Sequence, residues 1–247
     1  MKKWLTVMGC VGFVVGAQAA DISAKLQRAM QSDIRDESEI KRDANRKPME
    51  TLAFFGLQDD MKVVELIPGG GWYTKLLAPI LRDNGDFSIA YGTERAEKAI
   101  KGQEGFDKVN ILAPTSKVYR PENAAFYALD NPDLATSDVD MVFTFRNYHN
   151  FGPEGRAAMN EAVYKALKPG GIYAVVDHTR RHMQPNNDFN GRRVDPVLAI
   201  KEIQDAGFEL VDYSDLHYRP VDELIYEVGH KDVTGHTDRW TLKFRKK

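Results

Sequence analysis

Glu65 stands just ahead of three consecutive glycines, Gly69, Gly70 and Gly71, with Leu66, Ile67 and Pro68 between. Glycines admit positive φ values and let ligand atoms approach the backbone closely. A carboxylate beside such a loop can fix the loop or accept hydrogen bonds from a cationic ligand. A plain tight turn is the alternative. A second concentration is Arg146-Asn147-Tyr148-His149. Imidazole titrates near neutral pH, so His149 suits a general base, or else it is a loop histidine with a structural hydrogen bond. Arg146 could hold an anionic group or stabilise its own loop, and Asn147 and Tyr148 offer hydrogen bonds. His178 and His182 are four apart, the spacing of a helical metal pair, with Asp177 adjacent. They follow a strand pattern, however, and Arg180-Arg181 between them would repel a cation, so no metal site is expected. Arg192-Arg193 reads as a solvated charge pair, and His230 and His236 as surface residues of a hairpin. Arg42, Asp43, Arg46 and Lys47 cluster ahead of Pro48.

These residues need elements to position them. From Lys62 onward, short β-branched runs alternate with helical patterns, the signature of βαβ units and a parallel sheet. Residues 63–67 predict a first strand, so the glycine loop sits at its carboxyl end, where open α/β sheets bind ligands. Tyr73, Leu76, Leu77, Ile80 and Leu81 fall on one helical face. Pro79 should kink that helix. Further strands are expected at 87–91, 124–129, 141–145 and 172–176, and His149 follows the fourth of the series. Pro153 suits a helix start, Lys168-Pro169-Gly170-Gly171 a stop, and Asp195-Pro196 a cap and first turn. Strands at 208–213 and 240–244 alternate polar and apolar residues, as a half-solvated antiparallel edge would. Residues 21–57 read as two helices. The expected fold is α/β: a Rossmann-like, seven-stranded, mostly parallel sheet with an antiparallel last strand, helices on both faces and a short N-terminal helical segment.

The 247 residues are 43% hydrophobic and 28% charged, which excludes disorder over most of the chain. A net charge of -2 lacks the basic footprint of a nucleic-acid binder. Lys2 and Lys3, an apolar run from Trp4 to Gly16 and then Ala17-Gln18-Ala19 form a secretory signal pattern. The expected organisation is a signal peptide at 1–19, an N-terminal helical segment at 20–58 and an α/β domain at 59–247. The mature protein would be periplasmic or secreted, with no stable membrane insertion. Cys10, the only cysteine, lies in the segment removed, so disulfides and thiolate metal sites are excluded.

The glycine loop is not the dinucleotide fingerprint, because Trp72 and Thr74 occupy positions that would need glycine. That disfavours a nicotinamide-dependent oxidoreductase. The loop resembles motif I of the class I S-adenosylmethionine-dependent methyltransferases. Asp138-Val139-Asp140-Met141-Val142 resembles the entry to that fold's fourth strand, and Leu167-Lys168-Pro169-Gly170-Gly171 the turn before its fifth. More narrowly, Arg42 to Pro48, Glu65 to Thr74, Thr144 to Asn150 and Thr237-Asp238-Arg239-Trp240 resemble a group of secreted methyltransferase-like proteins. The resemblance implies S-adenosylmethionine as cofactor, held by Glu65, Gly69, Gly70, Gly71 and Asn147. It implies methyl transfer to a small-molecule acceptor, with His149, Arg146 and Tyr148 at the reaction centre. Two departures stand out. Ile67 replaces the family's usual glycine, and Tyr91 falls where an acidic ribose ligand is usual, which leaves Glu94 as the nearest carboxylate. Asp130 is expected at the adenine amino group, or as a turn residue before Asn131-Pro132. The rival reading is a secreted small-ligand-binding protein that keeps the fold without methyl transfer.

Overall fold

The computed structural model of this chain describes residues 11–247. Of the expected signal segment, residues 1–10 lie outside the described residues and the remainder opens a helix, α1 (Val11–Met30). The next stretch holds three shorter helices, α2 (Glu37–Ile40), α3 (Asp43–Arg46) and α4 (Pro48–Phe55), where two helices in all were expected. Local chemistry explains the breaks. Asp36 opens α2 through a capping box: its carboxylate accepts from the Glu39 N–H at 2.9 Å, and the Glu39 carboxylate accepts from the Asp36 N–H at 3.2 Å. Pro48 has no N–H with which to extend α3 and instead begins α4.

The α/β part runs β1 (Lys62–Leu66), α5 (Thr74–Leu81), β2 (Asp86–Ala90), α6 (Glu94–Ile100), β3 (Asn110–Leu112), β4 (Lys117–Tyr119), β5 (Ala128–Asp130) and β6 (Val139–Phe145). It continues through α7 (Pro153–Ala166), β7 (Leu167–His178), α8 (Pro196–Asp205), β8 (Phe208–Ser214) and β9 (Arg239–Lys246). Seven strands form one sheet in the order β3-β2-β1-β6-β7-β9-β8. All pairings from β3 to β7 are parallel, whereas β9 is antiparallel to both its neighbours. The strand order reverses between β1 and β6, and that switch point opens a crevice beyond their carboxyl ends.

Alternate side chains serve opposite faces. Val63, Met141 and Phe143 join Leu76, Ile80 and Phe55 on one side; Val64, Val142 and Val175 join Met159, Val163 and Ile203 on the other. Burial on both faces is why the parallel strands read as continuous apolar runs. Two expectations change. The third strand of the sheet is β3, three residues long, and of the segment expected there, 124–129, only the last two residues enter β5, which pairs with β4 in a separate two-stranded ribbon. The 240–244 segment is not an edge: β9 lies between β7 and β8, and Trp240, Leu242 and Phe244 are buried. Among the described residues, no helix is long and apolar enough to cross a membrane.

Candidate functional site

Glu65, next to last in β1, is 3% exposed, and its Oε2 accepts from the Thr74 hydroxyl at 2.6 Å. Burial pushes its carboxyl up to about 7, with the Thr74 hydrogen bond and the Arg46 charge opposing. Beyond it the chain turns sharply. Ile67 adopts φ 52°, the left-handed conformation that the family's usual glycine would take freely and a β-branched residue takes under strain. Its N–H reaches the Ala90 carbonyl at 2.8 Å, and its carbonyl accepts from the Asn147 amide at 2.9 Å. Asn147 therefore ties the end of β6 to the start of the glycine loop. Gly69 (φ 59°) and Gly71 (φ 82°) also need the left-handed region, while Gly70 does not. A Cβ on Gly69 would meet nothing within 4 Å, so the loop faces open space.

That space is a cleft of about 470 Å³ over the ends of β1 and β6. Glu65, Ile67, Pro68, Gly69 and Gly70 line one side, Phe145, Arg146 and Asn147 another, and α2–α3 supply Asp36, Glu39, Arg42 and Arg46 as a roof. The roof is clamped down. Trp72 donates its indole N–H to the Glu39 carbonyl at 2.9 Å, and Lys75 pairs with the Glu39 carboxylate at 2.7 Å. Tyr73 stacks on Phe145 with ring centroids 3.5 Å apart, and the Arg46 guanidinium lies 4.3 Å from the centre of the Trp72 ring.

The residues expected to act together are only partly assembled. Glu65, Gly69, Gly70, Arg146 and Asn147 share the cleft; Gly71 packs towards Ala96 and Thr74 at the start of α5. Glu94 is exposed on the first turn of α6 outside the cleft, where its neighbour Arg95 reaches in. Tyr91 is 1% exposed and donates its hydroxyl to the Pro132 carbonyl. Asp130 ends β5 on the separate ribbon, exposed. Tyr148 turns to the opposite face of the sheet, donating to Glu202 at 3.0 Å and accepting from Asn160 at 3.0 Å.

His149 is 5% exposed and is not among the side chains lining the cleft. Its Nδ1 lies 2.5 Å from Asp177 Oδ1, and its backbone N–H donates to Oδ2 at 2.9 Å. A carboxylate accepts, so Nδ1 is the donor to Asp177. Asp177 also accepts from the His178 N–H at 2.6 Å. His149, Asp177 and His178 bring possible metal-ligating atoms within 4.8 Å of one another. His178 is held well below its ordinary pKa, first by burial and then by His149, Arg239, Arg146 and Arg193. That positive surrounding opposes a dication as it opposes a proton. His182 pairs elsewhere, with Asp195 at 2.9 Å. Arg193, expected in solvent, is 1% exposed and pairs with Asp222 at 2.9 Å.

Several site residues carried no functional reading in the sequence: Glu39, Trp72, Tyr73, Lys75, Arg46 and Arg239. Arg46 and Arg239 do lie within the two patterns Arg42–Pro48 and Thr237–Trp240, and those patterns were the available signal.

No protein-family model matches the chain. In sequence it is similar to a protein of Synechocystis sp. described as an uncharacterized methyltransferase, 28% identical over 130 residues. That match covers 53% of this chain and 51% of the relative, so the chain matches about half of the relative's length. In structure it is similar to a SAM-dependent methyltransferase from Aquifex aeolicus, with a TM-score of 0.59, 16% identity and coverage of 90% of this chain and 97% of that one. It is also similar to the [4+2]-cyclase SpnF, with a TM-score of 0.58, 16% identity and coverage of 93% and 94%. The chain has the class I methyltransferase fold, a scaffold that also carries a protein named for a cyclisation. Activity must therefore be argued from the site.

Proposed function

We propose that this protein is an S-adenosylmethionine-dependent methyltransferase acting on a small-molecule acceptor. The observation that carries the reading is the cleft at the β1/β6 switch point, where a buried, unpaired carboxylate, Glu65, adjoins an open glycine loop. The residues fit the cofactor. The ammonium of its methionine part supplies the charge that Glu65 lacks, and the bare backbone at Gly69 and Gly70 admits close approach. Bound, the cofactor supplies an already activated methyl group on a sulfonium, so the protein's share is mainly positioning. Asn147 holds the loop against β6. His149 lies outside the cleft lining, so its bond to Asp177 fixes the turn after β6, and no protein base is needed when the acceptor nucleophile is already deprotonated.

Calorimetry with S-adenosylmethionine, S-adenosylhomocysteine and NAD tests the reading: the first two are expected to bind and NAD is not. Gly70→Ala is the sharper probe, because Gly70 needs no positive φ and its Cβ would meet only the end of Arg95 at 3.7 Å. Its stability should stay within about 0.5 kcal/mol of wild type while cofactor affinity drops about tenfold. Unchanged affinity would make the loop a turn and nothing more. We further propose export, with cleavage after Ala19 yielding a periplasmic or secreted protein like the secreted methyltransferase-like group. Intact mass of the protein from the cell envelope should begin at Ala20 or Asp21, and full-length protein confined to the cytoplasm would exclude it.

A further inference from the structure

Three arginines from distant parts of the chain come together at the cleft: Arg46 from α3 and Arg146 just past β6 line it, and Arg239, at the start of β9, reaches the Asn45 carbonyl beside Arg46. Arg46 and Arg239 are 5% and 6% exposed. Among the described residues none of the three forms a salt bridge, and residues 1–20 contain no acid that could supply one. The Nε atoms of Arg146 and Arg239 are buried without any hydrogen-bond partner, and Arg239 places one other nitrogen on the Asn45 carbonyl at 3.2 Å. Buried charges are ordinarily paired, so three unpaired guanidiniums at one site call for an explanation.

The groups around them do not supply the missing charge. Asp177, fully buried behind Arg146 and Arg239, favours both cations at a distance, but its oxygens are taken up by His149 and His178. Glu65 is held largely protonated below neutral pH by its burial. On the roof, Glu39 is paired with Lys75 and Asp36 is occupied by its capping box. The Tyr73 phenol sits among the three arginines, and burial raises its pKa, so it too adds no negative charge. The arginines repel one another: burial and then Arg146 push Arg46 down to about 9 and Arg239 down to about 10, and burial lowers Arg146 as well.

We infer that Arg46, Arg146 and Arg239, with the Tyr73 hydroxyl, form an anion subsite that anchors a carboxylate or phosphate group of the methyl acceptor. This rests on the methyltransferase reading for the word acceptor, although the subsite itself does not. One cofactor carboxylate, carried beside its own ammonium, would leave most of this positive charge unanswered. A second, fully anionic molecule answers it. Planar guanidiniums suit oxyanions because each can donate two parallel hydrogen bonds.

The test measures binding of inorganic phosphate and of succinate by calorimetry at constant ionic strength, with and without saturating S-adenosylhomocysteine. Wild-type protein should bind at least one of the two anions in the presence of S-adenosylhomocysteine. Arg146→Gln and Arg239→Gln should each weaken that anion roughly 10–100-fold, the scale of a lost charge-assisted hydrogen bond, and Arg239→Gln, which lies outside the cleft lining, should change S-adenosylhomocysteine affinity less than about threefold. Arg→Lys at the same positions keeps the charge and guards against misfolding; it should recover only part of the loss. Failure of both anions to bind the wild type overturns the proposal. So does a parallel loss of anion and S-adenosylhomocysteine binding, which would give the arginines to the cofactor's carboxylate. If the anion binds but neither S-adenosylmethionine nor S-adenosylhomocysteine does, the anion subsite stands and the methyltransferase reading falls.

Discussion

At Glu65 the cost of burial is borne by a single carboxyl group. Its folded pKa of about 7 lies above the ordinary value of 4.5. Between those values the native protein keeps a proton that the unfolded chain has released, so stability falls as pH rises through that window and levels off above it. Glu65→Gln keeps an acceptor for the Thr74 hydroxyl and removes the titration. The variant should be more stable than wild type at pH 8, by up to about 3 kcal/mol, and the advantage should vanish near pH 4. Its affinity for cationic S-adenosylmethionine should fall at the same time. Denaturant midpoints at the two pH values check the first part; a variant less stable at pH 8 would mean the charged carboxylate is already satisfied. The exchange of stability for binding is what a group held ready for a cation should show.

The elements converge on a shared backbone device. β1, β2 and β6 are neighbours in the sheet, and each is followed at once by a left-handed residue: Ile67, Tyr91 and Arg146, with φ of 52°, 66° and 58°. The turn at each carboxyl end aims the following loop across the crevice, and Ile67 is the most strained because its side chain is β-branched. Comparing Ile67→Gly with Ile67→Ala isolates that strain, since both lose the side chain beyond Cβ and differ by one methyl group. Glycine should be the more stable by about 1 kcal/mol, the reverse of the usual order, and an alanine variant equal or better would remove the strain argument. The strand-loop-helix at residues 62–81 was legible because its signals are local: β-branched run, glycines, helical stripe. β3 was not, because three residues carry no period and the longer apolar run at 124–129 outcompeted it. Nor was the place of β9 in the sheet, which depends on pairing with β7 and β8 rather than on its own pattern. The arginine cluster shows the same limit at the site. Positions 46, 146 and 239 share no window, and only the folded sheet brings them together.

At the scale of the molecule, the roof over the cleft is fastened to the far end of the chain by a histidine that carried no signal in the sequence. His217 is 1% exposed. Its Nε2 donates to the Arg46 carbonyl at 3.0 Å, which leaves Nδ1 to accept from the Thr241 hydroxyl at 2.7 Å; α3 is thus joined to β9 through one neutral ring. Burial pushes its pKa down to about 4, against an ordinary 6.5, with the Arg46 carbonyl opposing. As pH falls from 6.5 towards 4 the unfolded chain takes up a proton that the native ring refuses, so this contribution is complete above 6.5 and is lost on acidification. Glu65 works in the opposite sense between about 4.5 and 7, and the two partly cancel in the wild type. A substitution at 217 separates them. His217→Gln cannot titrate, and at pH 7.5 it should be less stable than wild type by about 1–2 kcal/mol for the hydrogen bonds and packing it loses. At pH 4.5 the gap should close or reverse, because only the wild type then bears the cost of protonating or burying the ring. Hydrogen exchange gives the second readout: amides of α3, which hold Arg46 over the cleft, should exchange faster in His217→Gln at pH 7.5 while those of α7 on the opposite face stay protected. A constant stability gap across pH, or equal loosening of both helices, would reduce His217 to ordinary core packing and leave the roof held by Trp72, Lys75 and the Arg239 bond to Asn45.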